Sequence, residues 1–234
     1  MIRWLGSISL VLVLLLLVSC QSASTEAVKI NVSNKTLLVG KESGGDAIIA
    51  KRLREVHGME VTVIADKEVT KESSAGYGLV YVSESVNSGK IRDNFSSAPV
   101  PVIYAEVQAT ADIGLSPPES YGHLGGANAA KTIEIKDSKH PLAAGLEGKI
   151  DVYKENGKMG YATPGKEAIV IATVPGEDQN ATIFAYEKGS KNEKGETVPA
   201  REMLYYLFYG EEINQTDDGW KLFDAAVRWV TSAK

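Results

Sequence analysis

Cysteine is nearly absent from this chain, which has one, Cys20, in 234 residues. A single cysteine so close to the N-terminus excludes an internal disulfide, a zinc site built on cysteines and a cysteine nucleophile in the body of the protein. Histidine is scarce as well, and no two of the three histidines have a spacing typical of a metal site. We therefore predict neither a bound metal nor another cofactor.

Basic residues are fewer than acidic residues, with 25 lysines and arginines against 30 aspartates and glutamates. The net charge is −5, and the lysines and arginines form no basic stripe along the sequence. Proteins that bind nucleic acids carry such a stripe or patch, because it neutralises phosphates. The charge pattern therefore argues against a nucleic-acid partner.

Only one long apolar run is present, Ile8–Val18, and it follows the positively charged Arg3. The run is too short to span a bilayer, which needs about 20 apolar residues, and it is typical of a cleaved signal sequence. The adjoining residues Leu17–Cys20 resemble the lipobox of bacterial lipoproteins. This resemblance implies a signal peptide over residues 1–19, lipid such as palmitate on Cys20, and an extracytoplasmic protein whose partner is a bacterial membrane, held through the lipid anchor.

The polar, irregular residues 20–34 are interpreted as a lipidated cysteine followed by a flexible tether. Residues 35–234 have the length and apolar content of one globular domain.

Strand and helix patterns alternate through the first half of this domain. Buried parallel strands are near-continuous apolar runs, and each parallel connection needs a crossover helix. We therefore expect a largely parallel sheet with helices on both faces. The predicted strands are Thr36–Gly40, Met59–Ile64, Gly78–Ser83 and Val100–Ala105, and the predicted helices start at Asp46, Glu68 and Asn87.

The second half is richer in strands. Runs of β-branched and aromatic residues between turn signals predict Lys131–Lys136, Ile150–Lys154, Ala168–Thr173, Thr182–Glu187 and Met203–Phe208 as strands. A final helix, opened by Asp217 and Asp218, carries apolar residues at helical spacing.

Ligands of parallel α/β sheets bind beyond the carboxyl ends of the strands. The residues predicted at those ends are Lys41–Ser43, Asp66, Ser83–Ser85 and Glu106. We expect a ligand-binding site near Glu42, Ser83, Ser85 and Glu106. Glu106 is the one candidate for catalysis, as a general acid or base. The alternative is a purely structural carboxylate that pairs with Lys41 or Arg201.

Other motifs favour no further chemistry. The glycine-rich turn Gly40–Asp46 matches no phosphate-binding loop, and its acidic residues would repel phosphate, so it is interpreted as a tight turn with an Asp cap. No Gly-x-Ser-x-Gly elbow occurs. His123 lies in a predicted flexible loop, either as a solvent residue or close to the strand ends.

The stretch Asp137–Leu146 is similar to the Asp-x-x-His-Pro-[Ile/Leu]-x-x-Gly-Leu signature of ThuA-like (trehalose-utilisation) proteins, a branch of the glutamine amidotransferase-like fold. Further segments that resemble this fold are Thr36–Gly40, Leu79–Ser83, Pro99–Glu106, Ile183–Gly189 and Gly219–Trp229. The resemblance implies a three-layer α/β fold of the flavodoxin type.

Amidotransferases of this fold carry a cysteine on the elbow after the central strand. Here that region is Tyr104–Gln108 and has no cysteine, so ammonia release from glutamine through a thioester is excluded. The sequence favours a surface domain that binds a small polar ligand such as a carbohydrate. A ThuA-like enzyme acting on a sugar or sugar derivative and a structural module of a surface complex remain as alternatives.

Overall fold

A computed structural model describes Met1 and residues 33–232. The predicted signal peptide, Cys20 and most of the tether therefore lie outside the described residues. Among the residues that are described, no helix combines the length and the apolar character needed to cross a membrane.

Five parallel strands form one half of a mixed sheet. They are β1 (Lys35–Val39), β2 (Glu60–Ile64), β3 (Leu79–Val82), β4 (Val102–Tyr104) and β11 (Glu202–Tyr205). Their order is β2-β1-β3-β4-β11, with every neighbouring pair parallel. The prediction that the first four lie side by side is confirmed, and β11 extends the parallel set.

Helices cover both faces of this half, which confirms the three-layer α/β fold. Helices α1 (Gly45–Glu55) and α4 (Asp217–Thr231) pack on the face that carries Leu38 and Ile103. Helices α2 (Ser88–Ile91) and α3 (Val107–Asp112) lie on the face that carries Leu37, Val39 and Tyr104. The faces alternate along each strand because successive side chains point to opposite sides of a sheet.

The other half of the sheet is antiparallel. It continues from β11 through β10 (Glu177–Tyr186), β9 (Ile169–Val174), β6 (Thr132–Ile135) and β7 (Gly148–Asp151). A side ribbon of β5 (Tyr121–Leu124) and β8 (Met159–Ala162) joins it at β10.

Two helix predictions need correction. No helix covers residues 68–74; a short 3-10 turn, Asp66–Glu68, precedes a series of turns. The side chains of Thr70 and Ser73 accept backbone N–H groups there, in competition with helical hydrogen bonds. The helix predicted near residues 87–95 ends at Ile91, because Arg92 adopts a left-handed conformation (φ 48°) that breaks the helix.

Two further details differ from the sequence prediction. The segment around His123, predicted as a flexible loop, is strand β5 and pairs with β8, which was missed because both strands are short and glycine-containing. The last helix is capped by Thr216, whose Oγ1 accepts the N–H of Gly219 at 3.0 Å, and not by Asp217 or Asp218.

Candidate functional site

The carboxyl ends of β3, β4 and β11 bring together two carboxylates and two aromatic rings. Glu84 follows β3, Glu106 follows β4, and Phe208 and Tyr209 lie on the segment after β11. The N–H of Tyr209 donates to Glu84 Oε2 at 3.2 Å, which joins two of these segments. We call the group of Glu84, Glu106, Phe208 and Tyr209 the strand-end edge.

A fully buried aspartate organises the loops beside this edge. Asp46, in the first turn of α1, accepts the N–H of Lys41 at 2.7 Å. Its two oxygens also accept the hydroxyls of Ser83 (2.5 Å) and Ser85 (2.6 Å). The loop after β1 is therefore tied to the loop after β3, and Glu84 is held between the two anchored serines.

Glu106 begins α3. One of its oxygens, Oε1, accepts the N–H of Gln108 at 3.1 Å, as expected of an N-cap residue. The residue is 9% exposed. Neither alternative partner is used: Lys41 lies over the ring of Tyr209, and Arg201 pairs with Glu187 at 2.9 Å. Among the described residues, no donor reaches the second oxygen of Glu106.

Both carboxylates at the edge are shifted toward their neutral form. Burial raises the pKa of Glu106 to about 7, against the N–H of Gln108 and with a contribution from the Asp112 charge. Burial also raises the pKa of Glu84 to about 7. The charges of Glu106 and Glu212 add to the rise, whereas the Tyr209 N–H and the charge of Lys158 oppose it. Near neutral pH each group can therefore donate or accept a proton.

Close packing fixes the segment after β11. Glu212 accepts the N–H of Gly210 at 2.8 Å and is 3% exposed. A side chain on Gly45 would collide with the Glu212 carboxylate, and one on Gly44 would meet the hydroxyl of Tyr209. The glycines of the first loop are therefore required so that the β11 segment can approach α1 closely.

The rings of Phe208 and Tyr209 are partly exposed, and each is covered by a lysine of the same chain. Lys41 Nζ lies 4.4 Å from the Tyr209 ring centroid, and Lys158 Nζ lies 4.9 Å from that of Phe208. The exposed His123 packs beside Phe208, with ring centroids 5.2 Å apart. The edge thus combines aromatic faces, carboxylates and ammonium groups.

The predicted site residues have different surroundings. Glu106 lies at the edge, whereas the hydroxyls of Ser83 and Ser85 are turned toward Asp46. Glu42 is exposed on the loop after β1. In the part of the chain that the structure describes, no three His, Cys, Asp or Glu side chains are grouped to hold a metal ion.

Sequence reasoning missed Glu84, Phe208 and Tyr209 as site residues. Glu84 lies between two serines at a predicted strand end, so the sequence pattern could have identified it. The positions of the Phe208 and Tyr209 rings could not be predicted in this way, because they depend on β11 lying beside β4. Asp46 was interpreted as a helix cap, and its bonds to β3 serines become visible only in three dimensions.

No protein-family model matches this chain, and no functionally curated protein sequence does either. Solved structures do match. A protein from Thermoplasma acidophilum, provisionally described as part of a GMP synthase, aligns with a TM-score of 0.54 at 12% identity, over 82% of this chain and 90% of its own. A ThuA-like protein from Bacteroides uniformis aligns with a TM-score of 0.51 at 13% identity, over 86% and 92% of the two chains.

A glutamine amidotransferase from Thermotoga maritima also aligns, with a TM-score of 0.48 at 12% identity, over 83% of this chain and 82% of its own. The first two alignments show that the chain shares the fold of the Thermoplasma protein and of the ThuA-like protein, in agreement with the resemblance of its sequence. At these identities the likeness concerns the fold alone, and fold does not determine function.

Proposed function

We propose that this protein binds a small polar ligand, a carbohydrate, at the strand-end edge. The observation that carries the proposal is the pairing of two partly desolvated carboxylates, Glu84 and Glu106, with the partly exposed rings of Phe208 and Tyr209. Carboxylate oxygens accept hydrogen bonds from sugar hydroxyls, and aromatic faces pack against the apolar face of a sugar ring.

The proposal is tested by measuring the affinity of neutral oligosaccharides for the full-length chain with titration calorimetry. We expect Glu84→Gln and Glu106→Gln to weaken binding by about 3- to 30-fold, because Gln keeps the size but replaces a charged acceptor. Glu147→Gln, on an exposed turn far along the sequence, is the matched control. If no oligosaccharide binds, the structural-module alternative takes the place of this proposal.

A second candidate, an enzyme acting on a sugar or sugar derivative, is favoured by the pKa of about 7 for both Glu84 and Glu106. A general acid–base works best when its pKa is close to the working pH. If the edge is catalytic, Glu106→Gln should lower turnover of the bound substrate by about a hundredfold or more, beyond its smaller effect on binding. Unchanged turnover in this variant would remove Glu106 from the mechanism.

We also propose that the protein is anchored outside the cytoplasm by lipid on Cys20, on the basis of the lipobox-like Leu17–Cys20. Mass spectrometry of the mature N-terminus should find acyl groups on Cys20, and Cys20→Ala should leave the protein out of the detergent phase. An unmodified Cys20, or cleavage at another site, contradicts the anchor without affecting the ligand proposal.

A further inference from the structure

The two aromatic rings of the strand-end edge already carry ammonium groups. Lys41 Nζ occupies the face of Tyr209, and Lys158 Nζ occupies the face of Phe208. Both lysines are exposed, and a lysine side chain is a compact charge on a flexible four-carbon stem. Each ammonium can therefore leave its ring at little cost in free energy. Another cation could then take its place on the ring face.

In the described part of the chain, the carboxylates beside these rings form no ion pair, although the charge of Lys158 acts on Glu84 from a longer distance. Among the described residues, neither Glu84 nor Glu106 lies within ion-pair distance of a lysine or arginine, in contrast to Glu187, which Arg201 binds at 2.9 Å. Glu106 is nine-tenths buried, and only Oε1 accepts a hydrogen bond. The other oxygen, Oε2, is not among the fully buried atoms and can accept a hydrogen bond from a ligand.

We propose that the ligand of the strand-end edge carries an amino group, whose ammonium replaces Lys41 or Lys158 on its ring and donates N–H groups to Glu84 and Glu106. This inference rests on the proposed carbohydrate function and narrows it to amino sugars. An ammonium supplies both interactions that the edge offers, a cation for the ring face and donors for the open carboxylate oxygens.

An acidic sugar would bind the two lysines directly, whereas an amino sugar would displace them. The carboxylate of the acidic sugar would pair directly with Lys41 and Lys158, and the charge of Glu84 and Glu106 would oppose it. Removing a lysine therefore changes affinity in opposite directions for the two ligand classes: it frees a ring face for an ammonium, but it removes a partner from a carboxylate.

The test uses three trimers of similar length: a glucosamine trimer, cellotriose and a galacturonic acid trimer. Affinities for the full-length chain are measured by titration calorimetry near pH 7, where neither the amines nor Glu84 and Glu106 are completely neutral. We expect the glucosamine trimer to bind about tenfold or more tightly than cellotriose. Lys41→Met and Lys158→Met should tighten its binding by about 2- to 10-fold, whereas the exposed control Lys139→Met should not change it.

Equal binding of cellotriose and the glucosamine trimer would overturn the inference and leave the carbohydrate function standing. Preference for the galacturonic acid trimer, or weaker glucosamine binding in the lysine variants, would overturn it as well. If none of the three trimers binds while circular dichroism shows a folded chain, the inference and the carbohydrate function fall together.

Discussion

Carboxylates are removed from water at two places in this fold, and their surroundings differ. Between α1 and α4, Asp224 accepts two hydrogen bonds from Arg52, both at 2.7 Å, and lies 3.0 Å from His57 Nε2. We call these three residues the α1–α4 cluster. At the strand-end edge, Glu84 and Glu106 accept backbone N–H groups, and among the described residues neither forms an ion pair.

The pKa values record this difference. Burial alone would raise the pKa of Asp224, but the hydrogen bonds from Arg52 and His57 outweigh it, and the pKa lies below its usual value. Burial raises the pKa of Glu84 and of Glu106 to about 7, because their backbone donors do not compensate. Removing one partner of a compensated carboxylate destabilises a fold, and carboxylates with raised pKa values in a cleft are candidates for functional sites.

The largest expected effect is the loss of Asp224. Asp224→Ala leaves the guanidinium of Arg52 and the nearly buried ring of His57 without their acceptor. We expect the free energy of unfolding to fall by about 2 to 4 kcal/mol in urea denaturation. Glu55→Ala, which removes an exposed ion pair with Lys51 at 3.9 Å, should change it by less than about 0.5 kcal/mol. Similar losses in both variants would show that the α1–α4 cluster contributes no more than a surface pair.

The next prediction tests whether a buried carboxylate without a hydrogen-bond partner is enough to destabilise the folded state. Glu202, 2% exposed at the start of β11, has an oxygen with no hydrogen-bond partner among the described residues, and burial raises its pKa to about 8. The folded form thus binds a proton more tightly than the unfolded chain. The contribution of this group to the free energy of unfolding is fully present below its pKa in the unfolded chain, near 4.5. It is lost as the pH rises to about 8, the pKa in the folded protein.

Urea unfolding of Glu202→Gln and of the parent at a series of pH values measures this loss. Over that range the parent should lose stability relative to the variant, because the folded state holds a proton that the unfolded chain releases. The exposed Glu60→Gln serves as control. Parallel curves for parent and Glu202→Gln would mean that a donor reaches the buried carboxyl.

A smaller effect of the same sign is expected at the strand-end edge itself. Between pH 4.5 and about 7 the raised pKa of Glu106 makes the folded state lose stability as pH rises. The charge of Asp112 adds to this rise. Glu106→Gln should therefore be neutral or up to about 1 kcal/mol more stable at neutral pH, opposite in sign to Asp224→Ala. A loss above about 1 kcal/mol would place Glu106 with the structural carboxylates.

The sequence predicts those parts of the fold and site that depend on the local pattern of apolar and polar residues, and it does not predict contacts between distant segments. The alternation of apolar runs and helical patterns placed Glu106 at a strand end correctly, because strand, turn and helix are adjacent in sequence. The approach of Phe208 and Tyr209 depends on β11 pairing with β4, and the Asp46 bonds depend on α1 packing near β3. Neither relation leaves a period in the sequence, so pattern reading could not reach them.

The smallest expected effect concerns Glu42, which the sequence placed in the ligand site. The structure describes it as an exposed residue of the loop after β1, next to Lys41, whose N–H is held by Asp46. Glu42→Gln should change the free energy of unfolding by less than about 0.5 kcal/mol, as exposed substitutions do.

Its effect on ligand affinity decides how far the site extends. If the strand-end edge alone binds the ligand, calorimetry should give Glu42→Gln and the control Glu147→Gln the same affinity as the parent. A loss in Glu42→Gln comparable to that in Glu84→Gln would mean that the loop after β1 moves over the bound ligand. The carboxylate would then lie close to the ligand in the complex, and the sequence prediction for Glu42 would hold.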